Sequence, residues 1–218
     1  RIDIPIENVK EVSSTNEYLT HLCEKNKAQE FYTVIADHQL EGKGQRGNSW
    51  ESESGKNLLF SIVLYPTALE ANKQFYLSML TAISIIDALS KYTDGFSIKW
   101  PNDIYWNDSK IAGILIENEL QGTYITRSII GVGLNINQEV FLSDAPNPVS
   151  LKQIIGVDIN RSELFQKILH GIVASYRLLE EDFEKMAATI RILYQRCLYR
   201  RNGYYPYKDA EGLFMAQF

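Results

Sequence analysis

The chain has 218 residues, 45% of them hydrophobic and 22% charged. That composition suits a globular protein of one or two domains with its own core, and it excludes a disordered, collagenous or wholly coiled-coil chain. The 22 cations and 27 anions leave a net charge of −5, which argues against a protein that coats nucleic acid and still allows a local basic site. Cys23 and Cys197 lie far apart and outside any Cys/His cluster, so neither a disulfide framework nor a structural zinc site is expected. Two free thiols fit a reducing cytosol. No apolar run reaches the roughly 18 residues of a membrane span. The longest, 58–64 and 111–116, have the length of strands.

In chain order, Ser14-Thr15-Asn16-Glu17 has the spacing of a capping box and opens a helix expected to run to about residue 25. The β-branched and aromatic run 31–36 reads as a strand. Residues 39–56 follow with four glycines (Gly42, Gly44, Gly47, Gly55), two cations flanking Gln45 and almost no apolar periodicity. A loop of that length in a compact domain calls for a functional reason. Residues 57–65 are apolar on both faces, as in a central strand. Phe75, Met79, Ala82, Ile83, Ile86 and Leu89 form one stripe of a long helix. Residues 96–100 predict a short strand stopped by Pro101. Residues 104–106, the turn Asn107-Asp108-Ser109 and 110–120 predict strand, turn and strand, and 124–132 a further strand. Asn160 with Glu163 opens a helix whose stripe runs from Phe165 to Phe183, and 186–198 continues as helix after a break. Asn202-Gly203 among aromatic residues predicts a β-hairpin turn. Strands and long helices in this order favour an α+β (mixed α/β) fold, a mixed sheet with helices packed on one face.

Three constellations can carry chemistry. Gly42-Lys43-Gly44-Gln45-Arg46-Gly47 formally fits G-x-G-x-x-G, but no helix follows it, so the dinucleotide reading fails its context. Successive glycine N–H groups with Lys43 and Arg46 can still bind an anion, and a solvated surface loop is the alternative. Lys99-Trp100-Pro101-Asn102-Asp103 precedes Lys110, which begins an apolar strand just after a turn. Its ammonium at a sheet end can reach a ligand or can simply guard a strand edge. Asp103 is a site carboxylate or a turn former. Trp50 and Trp100 can stack on a purine or fill the core. Ser14 and Thr15 can donate to a ligand, with helix capping the plainer role for Ser14. His21, His38 and His170 have no metal or triad spacing, and no serine nucleophile elbow is present.

These segments, in this order, resemble the catalytic domain of biotin protein ligases (biotin–[acetyl-CoA carboxylase] ligases). The resemblance covers nearly the whole chain: Ser14-Thr15-Asn16, Gln39, the run from Gly42 to Trp50, Asn57-Leu58 with Ser61, 99–103, 110–115 and Gly131-Val132-Gly133-Leu134-Asn135-Ile136-Asn137. It implies the class II aminoacyl-tRNA synthetase-like fold of biotin and lipoate ligases over residues 1–198, with 199–218 beginning a small C-terminal β-barrel that is incomplete here. It implies formation of biotinyl-AMP from biotin and ATP and transfer of biotin to a lysine of a biotin carboxyl carrier domain, part of a biotin-dependent carboxylase. By resemblance, Ser14, Thr15, Asn16, Gln39, Lys43, Gly44, Gln45, Lys110 and Gly113 bind biotin, and Arg46, Trp50, Asn102 and Asn135 bind the nucleotide. Lys110, Lys43 and Asp103 are the catalytic candidates. No protein-bound metal is expected; Mg²⁺ arrives with ATP, held mainly by phosphates and water.

The sequence departs from the family pattern Gly-Arg-Gly-Arg-x-Gly-Arg-x-Trp, with Lys43, Gln45 and Asn48 in place of the three arginines. Lysine keeps the charge without the bidentate fork and glutamine loses it, which implies a looser hold on the adenylate. No helix-turn-helix precedes residue 14, so DNA binding is not expected. The chain begins at Arg1, not Met, so native residues can be missing at the front. A cytoplasmic monomer or homodimer is expected. The rival readings are a lipoate ligase of the same fold and a non-catalytic biotin-binding regulator; the intact Trp-Pro stretch argues against the first and Lys110 against the second.

Overall fold

A computed structural model of the chain describes residues 2–143, 145–208, 210 and 212–217, with every side chain among them except those of Arg46 and Lys208. Strands β1 (Ile6–Val12), β2 (Thr33–Gln39), β3 (Leu58–Leu64), β4 (Phe96–Lys99), β5 (Asp103–Trp106), β6 (Ser109–Gln121) and β7 (Tyr124–Leu134) form one sheet in the order β1-β2-β3-β7-β6-β5-β4. The β1–β2 pair is parallel and the other pairs are antiparallel, so the sheet is mixed, as expected.

Helices α2 (Phe75–Leu89), α4 (Arg161–Glu181) and α5 (Phe183–Arg196) belong to the main core. There Leu58, Phe60, Ile62 and Leu64 of β3 meet Leu80, Ile85, Phe165, Ile168 and Ile172, and the rings of Phe60 and Phe165 meet edge to face at 5.1 Å. Removing each of these side chains from water contributes about 1.5–3 kcal/mol. Helix α1 (Thr15–Glu24) packs on the opposite face, where its Leu19 and Cys23 meet Val34, Val63 and Ile129. Every residue of β3 is therefore buried, and period-2 alternation sends 61 and 63 to the α1 face and 60 and 62 to the other. A short helix α3 (Leu151–Ile155) follows the sheet, capped by a reciprocal Ser150–Gln153 box.

Several boundaries differ from those read in the sequence. β1 was not anticipated: Ile6-Glu7-Asn8-Val9-Lys10-Glu11-Val12 is mostly polar because it is an edge strand, and it joins β2 through α1 as a βαβ unit. The Tyr18 and Tyr32 hydroxyls both donate to its Glu7, at 2.6 and 2.7 Å. The long helix breaks at Asp182, whose side chain accepts from the Lys185 N–H, so Phe183 starts α5 and does not end α4. The capping box at Ser14 does not form. Ser14 occupies the N-cap position without a side-chain cap, and Glu17 accepts instead from Ser13 Oγ. The hairpin does not turn at Asn202-Gly203. Strands β8 (Tyr205–Lys208) and β9 (Leu213–Ala216) pair with Lys208 opposite Leu213, so Asn202-Gly203 precedes the hairpin and does not lie at its turn. Gly203 still takes a left-handed φ of 97°, so its turn chemistry is used to enter β8.

Candidate active site

Beyond the N-terminus of α1, the sheet face that carries it holds a cleft open to solvent. Its floor is made by strand alternation. Gly113 and Leu115 on β6 face Gly133 and Gly131 on β7 across the ladder, and Ser61 on β3 lies opposite Gly131. Glycine is required here by contact, not by backbone angle. A Cβ on Gly133 would stand 2.5 Å from Trp50 Cε2, and one on Gly131 2.3 Å from Asn16 Oδ1. The bare backbone therefore lets the Trp50 indole and the Asn16 amide lie directly on the sheet.

The inner end is a closed polar network. The Thr15 N–H donates to Gln39 Oε1 at 2.9 Å, and Thr15 Oγ1 lies 3.1 Å from the same oxygen. Ser61 Oγ lies 2.7 Å from Thr15 Oγ1 and 2.6 Å from Asn16 Oδ1, and Asn16 Nδ2 donates to Glu117 and to the Leu115 carbonyl. Since Ser14 makes no cap, its buried side chain lines the cleft beside Thr15 and Asn16.

Lys110 reaches the cleft because of a β-bulge. Ile104 pairs with Ala112 but Tyr105 pairs with Lys110, so Ile111 is an extra residue on β6. The extra residue reverses the alternation: Ile111 and Ala112 both enter the main core, and Lys110 turns to the face of Gly113. Its Nζ forms an ion pair with Asp103 Oδ1 at 2.9 Å and sits 5.6 Å from the Trp50 ring centre. Asn102 lines the cleft and donates to the Ile114 carbonyl at 2.7 Å.

The 42–50 segment forms the rim. Lys43 and Ser49 make an isolated antiparallel bridge, the Trp50 N–H donates to the Gly42 carbonyl at 2.7 Å, and 45–47 is one turn of 3₁₀ helix. Lys43, Gly44 and Gln45 line the cleft. Lys43 Nζ lies 3.4 Å from Glu17 Oε2, and this ammonium, helped by Ser13, holds the Glu17 carboxyl below its ordinary range.

The structure thus brings together Ser14, Thr15, Asn16, Gln39, Lys43, Gly44, Gln45, Trp50, Asn102, Asp103, Lys110 and Gly113. Two residues expected at the nucleotide stand apart. The Arg46 side chain lies outside the described residues. Asn135 is buried next to the cleft without lining it; its Nδ2 donates to the Val149 carbonyl, and its Oδ1 is buried with no partner among the described residues. Trp100 is 62% exposed and also lies outside the cleft. The sequence reading gave no role to Glu117, Gly131 or Gly133; alternate glycines within an apolar strand were the available signal. Among the described residues, no group of three or more His, Cys, Asp or Glu side chains could hold a metal, and no helix is long and apolar enough to cross a membrane.

Residues 9–135 match the model of the biotin/lipoate A/B protein ligase family, and the chain belongs to that family. The bifunctional ligase/repressor BirA of Bacillus subtilis (strain 168) is 32% identical over 176 residues, 77% of this chain and 52% of the relative. The biotin–[acetyl-CoA-carboxylase] ligase of Paracoccus denitrificans is 36% identical over 108 residues, 47% of this chain and 43% of the relative. The chain therefore spans about half the length of these curated relatives. The biotin protein ligase from Aquifex aeolicus, solved in complex with biotin and ATP, superposes with a TM-score of 0.79 at 27% identity, covering 98% of this chain and 86% of that one.

Proposed function

We propose that this chain is a biotin protein ligase: it joins biotin to ATP as biotinyl-5′-AMP and transfers the biotin to a lysine of a carboxylase's biotin carboxyl carrier domain. The reading is carried by one juxtaposition. Lys110 stands across the cleft floor from the Thr15–Gln39 network, with the 42–50 rim above both. A head group that both donates and accepts hydrogen bonds fits the network, and a carboxylate at the far end of the same molecule then meets an ammonium.

In the first step the biotin carboxylate oxygen attacks the α-phosphorus of ATP, the new O–P bond replaces the bond to pyrophosphate, and pyrophosphate leaves. Two anions must approach, and Lys110, Lys43 and the N–H groups of the rim lower that cost while stabilising charge at the phosphorus. No protein nucleophile is needed. In the second step the acceptor lysine's amine attacks the acyl carbon, AMP leaves, and the amine proton passes to water; Asp103 is the candidate to hold that amine once Lys110 has turned to the ligand. Ser14, Thr15, Asn16, Gln39 and Gly113 hold the biotin, with Gly44 and Gln45 over it. Trp50, Arg46 and Asn102 attend the nucleotide; Asn135, buried outside the cleft lining, is not given that role. Asp103 is the one carboxylate lining the cleft among the described residues, too few for a protein cage, so a Mg²⁺ supplied with ATP would be held mainly by phosphates and water and would screen their charge. A cytoplasmic site of work belongs to the same proposal, and two unpaired thiols and ATP as the proposed substrate support it.

The test is ATP–pyrophosphate exchange with and without biotin, followed by mass measurement of a carrier domain. Exchange that requires biotin, with biotin then found on the carrier, is expected. Exchange driven by lipoate and not by biotin identifies the lipoate branch and refutes this reading; binding of biotin without exchange identifies a regulator.

A further inference from the structure

Ser61 does not line the cleft, yet the polar bonds at its inner end pass through it. It is fully buried on β3, between Val34 of β2 and Gly131 of β7. Two hydroxyl protons, of Ser61 and Thr15, serve three contacts, and the longest of them, Thr15 to Gln39 at 3.1 Å, is the one left without. Asn16 Nδ2 meets two groups that only accept, the Leu115 carbonyl at 3.3 Å and the Glu117 carboxylate at 2.7 Å. Both amide protons are committed, so Asn16 Oδ1 faces Ser61 and must accept. Ser61 has one proton and gives it to Asn16 at 2.6 Å. Its 2.7 Å contact with Thr15 Oγ1 is then a hydrogen bond only if Thr15 donates. That spends the one hydroxyl proton of Thr15, so its 3.1 Å approach to Gln39 Oε1 carries none. The orientation of Gln39 is fixed separately, because the Thr15 N–H at 2.9 Å demands an acceptor. Gly131 keeps this chain in register: any Cβ there would collide with Asn16 Oδ1 at 2.3 Å.

We infer that Ser61 is a positioning residue: backed by Asn16 and Glu117, it fixes the Thr15 hydroxyl as a hydrogen-bond acceptor toward the cleft, so that the site selects a ligand ring N–H at that point and rejects a ring oxygen of the same shape. The inference rests on the proposed reading, since the ureido ring of biotin supplies that N–H. Buried polar chains of this kind impose a direction because each hydroxyl has a single proton, and a ligand group of the wrong polarity meets lone pair against lone pair.

The experiment is calorimetric titration of the whole chain with biotin and with its two cyclic-carbamate analogues, in which one or other ureido N–H is replaced by oxygen. The wild-type chain binds biotin about 10- to 100-fold tighter than one of the two carbamates, the cost of a lost buried polar contact. In Ser61→Ala the Thr15 proton is free to turn, and that preference falls to about 3-fold or less, while the preference over the other carbamate holds. A merely structural role weakens all three ligands alike and leaves the ratios unchanged. Unchanged ratios in a folded Ser61→Ala, or a wild-type chain indifferent to both carbamates, overturn the inference and leave the ligase reading standing; no biotin binding by the wild-type chain overturns both. Should Ser61→Ala fail to fold, Ser61→Cys, a weak donor and acceptor of similar shape, reads the same ratio.

Discussion

Replacing Lys110 with methionine removes the charge and keeps the length and the apolar stem. In the structure Lys110 Nζ is 2.9 Å from Asp103 Oδ1, and the two side chains are 27% and 24% exposed, so an effective dielectric near that of a protein surface applies. An anion taking the place of Asp103 at similar range would interact with the ammonium by about 6 kcal/mol at a dielectric of about 20. Much of that is offset by desolvation and by the lost Asp103 pair. The part that grows as charge gathers on the phosphorus is comparable with one lost oxyanion donor, about 2.7–4 kcal/mol, or 10²- to 10³-fold in rate. Biotin-dependent pyrophosphate exchange reads the first step alone and is expected to fall by that factor. Stability changes little, because a partly exposed pair contributes about 0–1 kcal/mol. The unpaired Asp103 then repels the incoming anions, so Lys110→Met with Asp103→Asn should recover about 10-fold of the loss. Exchange by Lys110→Met within about 3-fold of wild type, with the fold intact, would refute the reasoning.

Three further outcomes are expected. Gly133→Ala drives a methyl into the Trp50 indole at 2.5 Å, and a strand interior cannot yield that distance; the KM for ATP should rise about 10-fold or more with a shift in tryptophan fluorescence, and no change in either would contradict the packing argument. Gln45→Arg restores a cation at the cleft rim and should slow biotinyl-AMP release about 5-fold, whereas equal or faster release counts against the loop's proposed role. The Tyr32 hydroxyl, hydrogen-bonded to Glu7, is pushed up to about 12. A raised phenol stabilises the fold fully below its unfolded value near 10 and ceases to do so as pH rises through about 12. Urea unfolding between pH 9 and 12, about the range these two values span, should show that loss, and in Glu7→Gln the contribution should be largely absent.

Much of the architecture was legible because the central elements obey simple periods. The two-faced apolar run of β3 and the stripe of α4 from Phe165 to Leu179 each have one physical reading, and the structure keeps them, whereas α2 is buried well beyond its stripe, with Leu77, Leu80 and Ile85 also in the core. β1 was not legible, since an edge strand carries charges for solubility and its parallel partner lies beyond a helix. The cap at Ser14 misled because Ser-x-x-Glu describes a local option, and Ser13 and Lys43 offered Glu17 better partners. In the site, the residue types at 14–16, 39 and 42–50 were conspicuous, and the strand position of Lys110 was correct. What the sequence could not supply was the face. An unbroken alternation through β6 would have put Lys110 on the side opposite Gly113, and one extra residue at Ile111 changes the answer.

That bulge also bears on how the proposed reaction divides its energy. Lys110 is held by Asp103 and Lys43 by Glu17, so each cation already has an anion partner. Binding a substrate carboxylate is then an exchange of one anion for another, which gains little in the ground state. Charge that develops later, at the phosphorus, has no counterpart in the free protein, and its interaction with Lys110 is net gain. In the proposed sequence the same exchange would free Asp103 in time for an incoming amine. If the proposed reaction holds, this ion pair keeps ground-state binding modest and reserves the ammonium for the transition state.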